Sequence, residues 1–142
     1  MKSRFVPLAN STAKKWYLID AKDKTLGRVS TLIAQIVSGK HKSTYLPYLN
    51  CGDCVVVINA QDVVVTGKKG IQKLYRNHSG RPGGLKIENF GTLQARIPER
   101  VLEKSVRGML PKGALGRDLY RNLKVYKGDT HPHLSQTPEL LI

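Results

Sequence analysis

The chain has 142 residues, 40% of them hydrophobic, and sets 24 Lys+Arg against 10 Asp+Glu for a formal charge of +14. That length suits one compact domain with tails, the apolar share excludes wholesale disorder, and the charge excess points to a polyanionic partner. The longest apolar run, Cys54 to Ile58, falls far short of the roughly 20 residues of a membrane-spanning helix. The first fifteen residues lack the apolar stretch of a secretory signal, and Cys51 and Cys54 alone cannot form a disulfide framework. A mature, unexported protein of a reducing compartment is expected.

In chain order, Lys15 to Asp20 is apolar on both alternating faces, as in a strand covered on both sides. Leu26, Val29, Leu32, Ile33, Ile36 and Val37 then mark one helix face, with Thr25 as N-cap and Gly39 as the stop. Cys54 to Ile58 reads as a buried strand and Val63 to Thr66 as a second short one across the Asn59 to Asp62 turn. Strand, helix and strand make a βαβ unit with a right-handed crossover.

Past Thr66 the texture turns to glycine and cations, with weak strands at Lys73 to Asn77 and Leu85 to Ile87 around a projecting loop, Gly80 to Gly84. Pro98-Glu99 opens a helix whose buried side is Val101, Leu102, Val106 and Met109. A short helix over Ala114 to Asn122 precedes a strand, Leu123 to Tyr126. The rest contains Pro132 and Pro138 and no period, so an extended tail is expected. The division expected is an N-terminal extension over 1–14, a single α/β domain over 15–128 and a tail over 129–142.

Catalytic chemistry finds little support. Cys51-Gly52-Asp53-Cys54 has the spacing of a redox dithiol or half a zinc site, but there is no second Cys pair, and His131 and His133 lie in the tail. Asp20, Asp23, Asp53 and Asp62 are scattered, whereas metal-assisted phosphoryl chemistry gathers carboxylates. His78-Ser79 are sequence neighbours rather than a spatially paired base and nucleophile. Gly67-Lys68-Lys69-Gly70 lacks the spacer and ending of a P-loop. No metal, cofactor or small-molecule substrate is expected, and no membrane partner, since no basic amphipathic helix with an exposed aromatic face is evident.

The basic clusters carry more. Lys40-His41-Lys42 after the first helix serves equally as dipole complement or phosphate contact. Arg28 opposes the dipole in that helix's first turn, so local stability gives no reason for it. Lys68, Lys69 and the stretch Arg76 to Lys86 combine cations with glycines that suit either hairpin tips or close approach to an anion. Arg107, Lys112, Arg117, Arg121, Lys124 and Lys127 have Asp118 as their one nearby acid, whereas a merely solvating surface mixes signs. A nucleic-acid surface is the favoured reading.

The stretch Val106-Arg107-Gly108-Met109-Leu110-Pro111-Lys112-Gly113-Ala114-Leu115-Gly116-Arg117, followed by Leu123 to Gly128, resembles the signature of the large-subunit ribosomal protein thirteen family. The similarity runs back through Arg96 to Arg100, Gly80 to Lys86, Val65-Thr66-Gly67, Gly39 to Lys42, Lys24 to Arg28 and Trp16-Tyr17, covering about residues 14 to 128 in order. Cys51 and Cys54 depart from the family pattern, and the two ends match weakly.

The resemblance implies a three-layer α/β/α core with a small, largely parallel sheet. It implies a non-enzymatic, structural constituent of the large ribosomal subunit that binds large-subunit rRNA directly and early in assembly, beside neighbouring ribosomal proteins. The length is similar to bacterial and organellar members, which implies ribosomes of a bacterial-type cytoplasm or a plastid stroma. The RNA role is carried onto the matching positions Arg28, Lys40, Lys42, Lys68, Arg81, Lys86, Arg107, Lys112, Arg117 and Lys124. Lys69, Arg76 and Arg121 join them on local charge, and Tyr75, His78 and Tyr126 are candidates for stacking on bases, with packing the alternative for the tyrosines.

Overall fold

A computed structural model of the chain describes residues 14–141, so the expected N-terminal extension lies outside the described residues except for Lys14. Strand β1 (Trp16–Asp20), helix α1 (Leu26–Ser38) and strand β2 (Cys54–Ile58) form the expected βαβ unit. The strands pair in parallel from Trp16 opposite Cys54 to Asp20 opposite Ile58. Val55, Val56 and Val57 are fully buried, so β2 is covered on both faces and reads as a continuous apolar run for that reason. On α1 the residues Leu26, Val29, Ile33, Ile36 and Val37 are buried. The helix ends on Gly39 at φ 80°, whose N–H returns to Ile36 while that of Lys40 returns to Gln35. A Cβ there would lie 2.8 Å from the Cys51 carbonyl carbon, so glycine is required twice over.

Two expectations around this unit change. Thr25 occupies the N-cap position without a side-chain cap bond; its backbone instead bridges Val64, whose carbonyl accepts the Leu26 N–H at 2.9 Å. The strand expected over Val63 to Thr66 reduces to that single bridge. The cause is Asn59, left-handed at φ 56°, and the 3₁₀ turn Ala60–Asp62, which carry the chain off the end of the sheet before it can pair.

Next come a one-turn helix α2 (Lys69–Gln72), absent from the expectation, and the hairpin β3 (Leu74–His78) and β4 (Leu85–Asn89). The hairpin is antiparallel and forms its own two-stranded sheet. Helix α3 (Phe90–Arg96) was also not anticipated; it is held by Phe90 and Leu93, three apart and both buried. Helix α4 (Glu99–Met109) buries Val101, Leu102 and Val106 as expected, but Met109 is 46% exposed and Leu110 takes the inward place at 6%. Met109 is the last helical residue, and Leu110, extended just past the helix end, turns inward in its place. Helix α5 (Ala114–Tyr120) leads into β5 (Leu123–Val125), which pairs in parallel with β2 at one edge of the sheet.

The tail is extended as expected, and it also joins the sheet. It makes a 3₁₀ turn at Leu134–Gln136 and ends as β6 (Glu139–Leu140), parallel to β1, giving the order β5-β2-β1-β6. Periodicity cannot show a two-residue strand; what draws it in is the outer edge of β1, whose Leu18 carbonyl accepts the Leu141 N–H at 2.9 Å. The crossovers carrying α1, α4 and α5 run one way across the sheet and the tail runs back, so a right-handed sense puts it on the opposite face. There His133 packs on Trp16 with ring centroids 5.1 Å apart and meets the Tyr126 hydroxyl at 2.8 Å, which gives Tyr126 a packing role. The result is the expected three-layer α/β arrangement around a parallel sheet.

Candidate nucleic-acid interface

Asp53 is fully buried, and its carboxylate is met by the Lys15 N–H at 2.9 Å, His41 Nε2 at 2.9 Å and Lys42 Nζ at 2.6 Å. Burial of an unpaired carboxylate would be costly, and three partners offset it. This anchor ties the loop after α1 to the start of β1. It also changes the reading of Lys42, whose side chain is only 18% exposed and is engaged inside the fold. Lys40, two residues earlier, is exposed. The thiols of Cys51 and Cys54 are free, and burial pushes that of Cys54 up, away from the reactive thiolate. Among the described residues no three His, Cys, Asp or Glu side chains are grouped to hold a metal.

The exposed cations gather along three adjoining concavities. Arg28, Lys69 and Lys73 line the first, with Thr25, Thr66 and Ser105. Thr31 and Met109 form its boundary with the second, which holds Lys40 beside Gln35 and Tyr45. Pro111 then separates the second from the third, lined by Arg107, Lys112, Arg117 and Arg121 with Tyr120. Among the described residues no carboxylate lines any of the three. The exposure of Met109 is thus explained: it floors the junction, with its sulfur 3.8 Å from the Thr31 hydroxyl.

Local sequence builds this band from helix ends. Arg28 stands in the first turn of α1, Lys40 follows its C-terminus, Arg107 lies in the last turn of α4, and Arg117 and Arg121 flank the end of α5. The α4–α5 connection is held close because Gly116 sits where a Cβ would overlap the Pro111 carbonyl oxygen at 1.7 Å. Arg121 meets Asp118 at 3.6 Å with both side chains well exposed, a pair that water and salt screen.

The remaining expected positions lie apart from the band. Lys68 is exposed beside α2, and Arg76, Arg81 and Lys86 are exposed on the hairpin and its tip. Lys124 is exposed on β5. Tyr75, a stacking candidate, is half-buried with Lys73 and Lys104 ammonium groups 5.6 and 5.3 Å from its ring centroid, so it packs inward. Sequence reasoning missed Lys73, which was absorbed into an expected strand; its spacing of four from Lys69 was the available signal.

Comparison with known proteins places the chain in a family. The family model for ribosomal protein L13 matches residues 14–132. A large ribosomal subunit protein uL13 from Acaryochloris marina is 59% identical over 99% of this chain and 93% of its own length. Counterparts of the same name from Prochlorococcus marinus and Synechococcus elongatus are 54% and 55% identical, each over 99% of this chain and 94% and 93% of their own lengths. With its parallel sheet, its carboxylate-free basic band and these matches over nearly its whole length, the chain belongs to the ribosomal protein L13 family, a structural and non-enzymatic family.

Proposed function

We propose that the chain is a structural constituent of the large ribosomal subunit that binds large-subunit rRNA directly, through the band of Arg28, Lys40, Lys69, Lys73, Arg107, Lys112, Arg117 and Arg121. The observation that carries this reading is the continuity of the three concavities, with no acidic residue among the described residues that line them. Lys68, Arg76, Arg81, Lys86 and Lys124 extend the contact around the band, whereas Lys42 acts behind it by fixing the loop that presents Lys40. Cations released from rRNA as these side chains dock drive association, and the curved surface selects folded RNA by shape and backbone contact.

Early entry into assembly fits the same geometry. The core of Ile19, Ile33, Val55, Val57, Leu102 and Val106 is complete within the chain, so the cations are presented before RNA arrives. The cyanobacterial relatives favour a ribosome of bacterial type, in cytoplasm or plastid stroma. The tail, which has Asp129 and Glu139 and no cation, faces neighbouring proteins of the subunit rather than RNA.

Removing three charges together, Arg107→Gln, Lys112→Gln and Arg117→Gln, tests the reading. If the parent chain neutralises about six phosphates, its log affinity falls with log salt at a slope near −4, and the triple variant is shallower by about 2. Circular dichroism should be unchanged, because all three side chains are exposed. Undiminished incorporation of the variant into subunits would refute the assignment.

A further inference from the structure

The β3–β4 hairpin carries a face that the fold leaves uncovered. Its register sets Arg76 opposite Ile87 and His78 opposite Leu85, with Leu74 next along the same side. Leu74, Leu85 and Ile87 are 46%, 52% and 51% exposed, an aliphatic patch on a two-stranded sheet that has no second layer over it. The opposite face is the one that packs: Tyr75 lies against Lys104, and Glu88 is held by Arg96 at 2.7 Å. The exposed face therefore has no carboxylate of its own, and among the described residues neither Arg76 on this face nor Arg81 at the hairpin tip has an acid within ion-pair distance; Lys86, opposite Asn77, lies on the packed face.

We infer that this face of the hairpin, through Leu74, Leu85 and Ile87 with Arg76 and His78, binds unpaired bases of the ribosomal RNA. The inference rests on the RNA-binding reading of the basic band and names what the hairpin adds to it. Aliphatic side chains gain nothing against phosphate but do gain against the flat faces of bases, and bases offer those faces only where they are unstacked. Leucine and isoleucine are side chains that wedge against bases, and a guanidinium plane stacks on them. The Gly80 N–H donates to His78 Nδ1 at 2.9 Å, so the neutral ring carries its proton on Nε2 and has a donor for a base edge. A protein occupant would have to supply acidic groups to match Arg76 on this face and Arg81 at the hairpin tip, whereas RNA supplies them along its backbone.

The test uses the whole chain and two probes: a large-subunit rRNA transcript, which contains unpaired loops, and a blunt RNA duplex. The variant Leu74→Ser/Leu85→Ser/Ile87→Ser should bind the transcript about tenfold more weakly. Its salt slope and its affinity for the duplex should match the parent. Arg76→Gln should instead make the slope shallower, by about 0.7. If the triple variant loses its circular dichroism signal, the single variants Leu85→Ser and Ile87→Ser carry the same comparison. Unchanged affinity for the transcript, or equal losses on both probes, overturns the inference while leaving the band intact. Unchanged RNA affinity combined with release from subunits at high ionic strength overturns it in favour of a protein neighbour. A parent chain with no salt-dependent binding to either probe overturns the RNA-binding reading itself.

Discussion

Strand β2 and strand β3 are each five residues long, yet the core of β2 is sealed from water whereas β3 exposes four of its five residues. The difference extends to charge. In the sheet body the one deeply buried acid, Asp53, is matched by three partners, while the hairpin and the band hold cations with few or none. If the band binds RNA as proposed, stability and binding reside in different places, so a substitution in the body should shift unfolding and not salt dependence, and one on the band should do the reverse.

The largest effect should come from Gly52→Ala, because its new Cβ would overlap the Val37 carbonyl oxygen, 1.7 Å away, at the seam between α1 and β2. Backbone cannot yield as a side-chain tip does, and a loss of about 3 kcal/mol or more is expected from denaturant titration. Any surviving folded fraction should keep the parental salt slope for RNA.

Asp53→Ala comes next, at about 2–3 kcal/mol, since it strips a buried acceptor from a backbone amide and two cationic side chains at once. Here the comparison sharpens. Freed from Asp53, Lys42 can join the exposed cations, so the salt slope should steepen or hold even as the midpoint drops. A shallower slope would show that the anchor is part of the binding surface.

The smallest effect concerns pH. The Lys22 N–H donates to Asp20, and the Asn59 side-chain amide does likewise, so the Asp20 carboxyl is held below the usual carboxylate value. A depressed folded-state value contributes stability that is present above the unfolded value and lost as pH falls through the folded one. Asp20→Asn should therefore be less stable than the parent near neutrality, with the gap closing in acid. A gap independent of pH would assign the loss to geometry and not to the ionised form.

Much of the body was legible in the sequence because its signals are local. The three- and four-residue spacing from Leu26 to Val37 and the β-branched run Val55-Val56-Val57 are readable within one element, and they yield α1 and β2 almost to the residue. The hairpin is readable from the glycines of the loop Gly80 to Gly84 between its strands, and α5 from the stretch after Gly113. By contrast, α3 was hidden by Gly91 and Thr92 inside a segment whose buried residues are just Phe90 and Leu93. At the candidate interface twelve of the thirteen cations named from sequence are exposed, and Lys42 is the exception because its partner lies eleven residues away on the far side of a loop.

The sequence by itself determined the α/β class, the α1 and β2 elements of the core and the cationic excess, since period, propensity and charge are properties of neighbouring residues. Only the tertiary structure decided that Glu139-Leu140 closes the sheet against β1, that Met109 faces outward, and that Arg28, Lys40 and Arg107 line one surface. Those outcomes depend on which distant segments meet. That is set by sheet order, crossover hand and an unpaired strand edge, none of which is written in any one stretch of chain.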